Sequence, residues 1–197
     1  MANYENDHLA VTNINKVYIA VMQKDSAKEV NYGDIHEVIG VKNFSISPEV
    51  SLDKAYGSGR VLQTAQTRSG GSFSIEFHSL PDQLREEMVG LERDEDGITF
   101  SNSKQESPYL GVIIEQEMGR GVSKYTGLTK VMLTPNADEA SAREDSVEFS
   151  TLSFEGETMG RLFDDIQGFQ KKTSDEDYDF TKFSSKVFLN STALPEA

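Results

Sequence analysis

The stretch Gly71–Gly90, GSFSIEFHSLPDQLREEMVG, constrains the fold most, because it passes from an alternating strand into an amphipathic helix with almost no connection. Phe73, Ile75 and Phe77 fall on one face of an extended segment, with Ser72, Ser74, Glu76 and His78 on the other. Ser79 is placed to cap a helix, Pro81 suits its first turn, Leu84 and Met88 share a face at i and i+4, and Gly90 suits its end. The spacing predicts a sheet with one small helix against it. No catalytic signature accompanies it.

The rest of the chain is rich in strand patterns. Lys16–Met22, KVYIAVM, is β-branched and aromatic and predicts a buried strand; the residues before it are polar, so residues 1–15 read as a flexible N-terminal segment. Glu37–Ser47 predicts a second strand with Gly40 as a bulge, prolonged by Glu49–Leu52 beyond Pro48. Lys54–Arg60, KAYGSGR, has two glycines and no periodic apolar face, which predicts an exposed hairpin tip. Arg60–Gln66 then returns toward Gly70-Gly71.

After the helix, Glu92–Gly97 predicts an acidic turn and Ile98–Phe100 a short strand. Tyr109–Glu117 and Val122–Leu133 flank Met118–Gly121, MGRG, as the clearest hairpin. Asn136–Asp145 predicts a polar loop, and Ser146–Gly156 an alternating strand whose phase slip after Thr151 marks a bulge or a change of face. A short amphipathic turn holding Leu162, Phe163, Ile166 and Phe169, an acidic loop and a final strand at Ser185–Leu189 complete the chain. The division expected is a β domain over residues 16–160 and a C-terminal extension over 161–197, packed on that domain or on a neighbouring subunit.

Composition narrows the function. The 197 residues suit one domain, and zero cysteines exclude disulfides and thiolate metal sites, which leaves packing, sheet pairing or assembly with other subunits to hold the fold. Thirty-three acidic against 19 basic residues give a net charge of −14, which disfavours a surface that neutralises phosphates. Solubility is the ordinary reading of that charge; a surface that repels a polyanion is the sharper one. No run approaches the roughly 18 apolar residues of a membrane span. The opening MANYENDHLA lacks a basic region followed by an apolar one, so folding inside a cell is the expectation.

Site chemistry is sparse. His8, His36 and His78 stand at no metal-ligand spacing, and the residues of Glu92–Ser103 imitate a calcium loop only in Asp94, Asp96 and Gly97, with Ser103 where a bidentate Glu is needed. Asp175, Glu176, Asp177 and Asp179 read as a solvated loop before a cation site. Gly57, Gly59, Gly70, Gly71, Gly119 and Gly121 fit turns, since no phosphate-loop or dinucleotide arrangement surrounds them. No nucleophile elbow is present.

Set in order, several pieces resemble the major tail tube proteins of long-tailed, non-contractile bacteriophages and related prophages. They are Ile39–Ser47 with Lys42-Asn43, Phe73–Phe77 followed by Leu80-Pro81 and the helix closing in Gly90, Ser107-Pro108-Tyr109 opening a strand, and Arg143–Gly156, REDSVEFSTLSFEG. The resemblance implies a mainly β fold, a small β-sandwich or partly closed barrel flanked by one short α-helix; the sequence adds a long exposed hairpin arm. It further implies a structural, non-enzymatic virion protein without cofactor, assembled in the host cytoplasm into hexameric rings stacked as a tail tube. Its partners would be tape-measure, tail terminator and tail-tip proteins, and DNA would pass the lumen without specific binding.

Two physical points agree with that implication: open strand edges need neighbours, and an acidic lumen lets DNA slide. The Asp53–Gln66 arm is then the expected contact between rings, with Asp53, Lys54, Tyr56, Arg60 and Gln63 as contact residues and Tyr56 and Arg60 as anchors. An ordinary flexible hairpin tip is the plain alternative. At the level of function the alternatives are another phage ring or decoration protein (tail terminator, tail tip, head decoration) and a carbohydrate-binding or hydrolytic β-sandwich. Against the last stand the absence of Trp and of any distinguished carboxylate pair.

Overall fold

A computed structural model describes residues 9–94, 96–100, 104–134 and 151–192. Expectations for His8, for Asn136–Asp145 and for Ser146–Ser150 lie outside the described residues. The strands are β1 (Val11–Ser26), β2 (Glu29–Tyr32), β3 (His36–Val38), β4 (Val41–Gly57) and β5 (Arg60–Phe77). Helix α1 (Asp82–Val89) follows, then β6 (Glu92–Arg93), β7 (Thr99–Phe100), β8 (Tyr109–Met118), β9 (Val122–Thr134), β10 (Leu152–Met159), β11 (Gly168–Lys172), α2 (Phe180–Val187) and β12 (Ser191–Thr192).

The fold is mainly β, as expected, and one antiparallel sheet dominates it in the order β12-β2-β1-β8-β9-β10-β5-β4. It is not closed into a barrel. Strand β9 serves two partners on one side: Lys130–Thr134 pairs with β10 and Lys124–Leu128 with β11. Strand β1 begins at Val11, ahead of the expected Lys16, because Val11, Asn13 and Ile14 pair with Met118, Glu117 and Gln116 of β8. The single strand expected over Glu37–Ser47 is two: Gly40, at φ 89°, breaks it, so that β3 pairs with β1 and β4 with β5.

Both faces of the central strands are buried, each by a different helix. Val17 and Ile19 of β1 and Leu110, Val112 and Ile114 of β8 join Phe73, Ile75 and Phe77 in a core closed by Leu84, Met88 and Val89 of α1. Alternation then sends Ala20, Met22 and Ile113 to the opposite face, where Phe183, Val187 and Phe188 cover them. Burying each such large side chain is worth roughly 1.5–3 kcal/mol. Ser79 does not cap α1: Pro81 occupies the N-cap position without a side-chain bond, and Gly90 ends the helix in the left-handed conformation.

The final strand expected at Ser185–Leu189 is helical instead. Asp179 caps α2 by accepting from the N–H of Thr181 at 2.8 Å and of Lys182 at 3.3 Å, and Phe180, Phe183 and Val187 line one face at helical spacing. The sheet is shaped to receive them. A Cβ on Gly127 would stand 2.4 Å from Val187, and one on Gly111 2.8 Å from the Phe188 ring, so both positions admit the helix only as glycine.

A buried polar network ties the segment after β10 to this face. Arg161, 1% exposed, grips Asp164 through Nε at 3.1 Å and Nη2 at 2.6 Å, while its Nη1 donates at 3.1 Å to the carbonyls of Lys186 and Val187 at the end of α2. Asp25 of β1 accepts from Lys130 Nζ at 2.7 Å and from the Leu162 N–H at 2.9 Å. Tyr32 donates its hydroxyl to the Thr129 carbonyl at 2.6 Å, and burial pushes its phenol up to about 12. Fixed charge thus meets free helix carbonyls, as the helix dipole favours.

Candidate inter-subunit surfaces

Strand β4 alternates without interruption from Asn43 to Gly57. Phe44 and Ile46 pack against the core, and the same face continues through Pro48, Val50, Leu52, Lys54 and Tyr56, while Asn43, Ser45, Ser47, Glu49, Ser51, Asp53 and Ala55 face the other way. The last pairing of β10 with β5 is Thr158 to Gly71, so beyond it β4 and β5 form a two-stranded ribbon. At about 3.3 Å per residue, Glu49–Gly57 reaches roughly 30 Å past that point. The ribbon closes in a two-residue turn, Ser58-Gly59, with φ 52° and 75°, the geometry that matches strand twist.

Among the described residues nothing covers the apolar stripe that this arm keeps. Val50 is 41%, Leu52 60% and Tyr56 70% exposed; Leu62, 73% exposed, bulges out of β5 between Val61 and Gln63 and turns toward Gly57, on the reverse face. Register divides the five sequence-selected residues. Lys54 and Tyr56 share the apolar face, opposite Thr64 and Val61, whereas Asp53 and Gln63 lie on the polar face, opposite Ala65 and Ala55. Arg60 sits beside the turn, opposite Gly57. Val50, Leu52 and Leu62 were not among the residues selected from the sequence; the alternation from Phe44 to Tyr56 was the signal for the first two.

A second surface lies on the sheet face opposite α1. Ser72, Ser74 and Glu76 of β5 are flanked by Ser47, Ser45 and Asn43 of β4 and by Glu157, Glu155 and Ser153 of β10. Helix α2 packs over β8, β9 and β11, so this polar region lies beyond its cover. Glu155 and Glu157 are exposed, and Lys42 sits 3.3 Å from Glu76. The face is polar, short-chained and acidic, with none of the aromatic platforms that grip a ligand.

The other candidates resolve into local structure. Among the described residues no group of three His, Asp or Glu is gathered as a metal site, and no helix is long and apolar enough to cross a membrane. His36 approaches Glu87 at 3.5 Å, and the His78 N–H donates to the Gly40 carbonyl at 2.9 Å. Asp94 accepts from the N–H of Asp96 and Ile98, an acidic turn; Ser103 lies outside the described residues. Asp175 and Asp179 accept from backbone N–H groups of Lys172 and Thr181.

No curated protein matches the sequence. The family model of phage tail tube proteins matches residues 36–195, which includes the arm, both helices and the polar sheet face. The chain therefore belongs to the phage tail tube protein family: it is a structural, non-enzymatic component of the virion tail that assembles into a tube with other tail proteins.

Proposed function

We propose that copies of this chain form hexameric rings, that these rings stack into the tube of a long, non-contractile tail, and that the tube conducts DNA during ejection. The arm is the observation that carries this reading. A lone two-stranded ribbon is marginal in water, and an uncovered apolar stripe on it gains its stability from a partner surface. Val50, Leu52, Lys54 and Tyr56 make that contact on the next ring, with Arg60 at the tip. Asp53 and Gln63, on the reverse face, bound the contact or meet a second neighbour. Among the described residues no strand pairs with the outer edge of β4, and pairing with an adjacent subunit satisfies its backbone groups.

The acidic sheet face supplies the wall of the channel. Carboxylates of Glu155 and Glu157 repel phosphates, and the serines around them offer nothing for bases to stack on. A tape-measure protein fills the lumen before ejection, terminator and tail-tip proteins close the ends, and assembly takes place in the host cytoplasm. Electron microscopy of the purified protein tests the reading: long hollow tubes with six-fold rings support it, whereas isolated rings or persistent monomers point to a terminator or decoration role. Changing Glu155 and Glu157 to Lys is expected to leave tube formation intact and to slow DNA passage in virions by at least roughly tenfold, in a salt-dependent way. Ejection at the normal rate would remove the lumen assignment.

A further inference from the structure

The two-stranded hairpin of β6 and β7 is short, yet it is held in one orientation. A single carboxylate oxygen of Glu86 in α1 accepts from Arg93 Nη2 at 2.6 Å and from Thr99 Oγ1 at 2.6 Å. Arg93 and Thr99 are cross-strand partners, so both side chains lie on the hairpin face turned to the helix. Their bonds, Arg93 first and Thr99 second, hold the Glu86 carboxyl below the usual carboxylate range. Asp94 closes the turn between the strands, accepting from the N–H of Asp96 at 3.1 Å and of Ile98 at 2.7 Å.

The opposite face then points away from α1. It carries Phe100 and its cross-strand partner Glu92, with Ile98 two residues before Phe100 on the same side. Ile98 is 62% and Phe100 42% exposed. Single exposed apolar side chains are ordinary. Here two stand together on a platform clamped to a helix, with Glu92 beside Phe100 and the exposed acidic turn residues Asp94 and Asp96 next to Ile98 in the chain.

The arm has the complementary chemistry. Its apolar face sets Val50, Leu52 and Tyr56 beside Lys54 and Arg68, the last paired with Val50 across the ribbon. From Glu49 to Ser69 the chain holds Lys54, Arg60 and Arg68 against Glu49 and Asp53, a net +1, which leaves −15 for the remainder of a chain of net −14. An apolar, cationic arm and an apolar, acidic platform on different surfaces of one molecule make a heterologous contact. Repeated head to tail between stacked rings, such a contact can extend along a filament.

We propose that the outward face of the β6–β7 platform is the docking site for the arm of a second copy of this chain. Leu52 and Tyr56 bury Ile98 and Phe100, and Lys54 and Arg68 meet Glu92, Asp94 and Asp96. This rests on the reading of the arm as an inter-subunit contact and adds the surface that receives it. Salt weakens the charged contacts more than the apolar ones, so the contact loses part of its strength in high salt.

The test uses the full-length chain, whose lack of cysteine gives a clean background for cross-linking. Changing Ile98 and Phe100 together to Asp is expected to leave the melting curve of the free subunit unchanged and to raise the concentration needed for tube growth by at least roughly tenfold, the scale of a lost interface anchor. Tubes at the wild-type concentration would overturn the docking site. Carrying Leu52→Cys and Phe100→Cys in one chain and oxidising the assembly is expected to yield a ladder of covalent oligomers, absent from either single variant. Oxidised tubes without a ladder would overturn it as well, and the ladder decides the matter if the double Asp variant misfolds. Replacement of Tyr56 and Arg60 serves as the control: if that variant fails to assemble while Ile98→Asp with Phe100→Asp assembles normally, the arm reading stands and only the docking site falls.

Discussion

Replacing Tyr56 and Arg60 together with Ala yields a subunit that folds and melts as before and does not grow into tubes. Tyr56 is 70% exposed and Arg60 stands beside the turn, so neither supports the core of its own chain. Aromatic and Arg anchors at protein interfaces lose about 2 kcal/mol or more when truncated, and two of them lose roughly 4 kcal/mol when additive. That is about a thousandfold in association at each contact. Each subunit repeats the contact, so a modest loss per arm becomes a failure of growth. Sedimentation and negative-stain microscopy of the double variant read the result, and tubes of normal length at normal concentration would remove the arm from the assembly.

Arg161→Ala produces the opposite pattern, a subunit damaged before assembly begins. The guanidinium is 1% exposed and makes bonds to Asp164 and to the carbonyls of Lys186 and Val187. Removing it leaves the Asp164 carboxylate without its cation and the end of α2 without its cap. Breaking one partner of a buried pair costs about 3–5 kcal/mol, against a total stability of about 5–15 kcal/mol for a domain. Arg161→Lys restores little, because a point charge on a flexible stem cannot span the Asp164 fork and both carbonyls at once. The urea midpoint of the free subunit measures the loss, and a change under about 1 kcal/mol would show that α2 is held by packing alone.

Sequence reading succeeded where one local period decides the outcome. Phe73, Ile75 and Phe77 alternate without interruption, and all three lie buried against α1. The hairpin of β8 and β9 was legible from the MGRG turn and the apolar runs on each side. It failed where a distant partner decides. Residues Phe180–Val187 include Phe, Thr, Ser and Val, which favour strands or turns over helices, and the segment is helical because Asp179 caps it and Gly111 and Gly127 leave room beneath it. Nothing near Arg161 in the chain announces that its partners include carbonyls 25 and 26 residues away.

The candidate surfaces divide in the same manner. The hairpin tip was legible from Gly57 and Gly59, but Pro48 and Lys54 interrupt the hydrophobic alternation of β4, so the strand was read only as far as Leu52 and Lys54–Arg60 as lacking an apolar face. Register later joined Lys54 and Tyr56 to that face and sent Asp53 and Gln63 to the other. The acidic sheet face needed three strands side by side before Glu76, Glu155 and Glu157 formed one surface. The platform of Ile98 and Phe100 depended on a clamp to Glu86, which adjacent residues do not reveal.

Hydrogen exchange of the backbone amides at residues 50–56 and 61–68, compared between the free subunit and the assembled form, tests the bridging role of the arm most directly. A ribbon without a third strand or a packed face opens readily, so these amides are expected to exchange fast in the free subunit and to become strongly protected on assembly, while β8 and β9 remain protected throughout. Equal, fast exchange of the arm in both states would contradict that role.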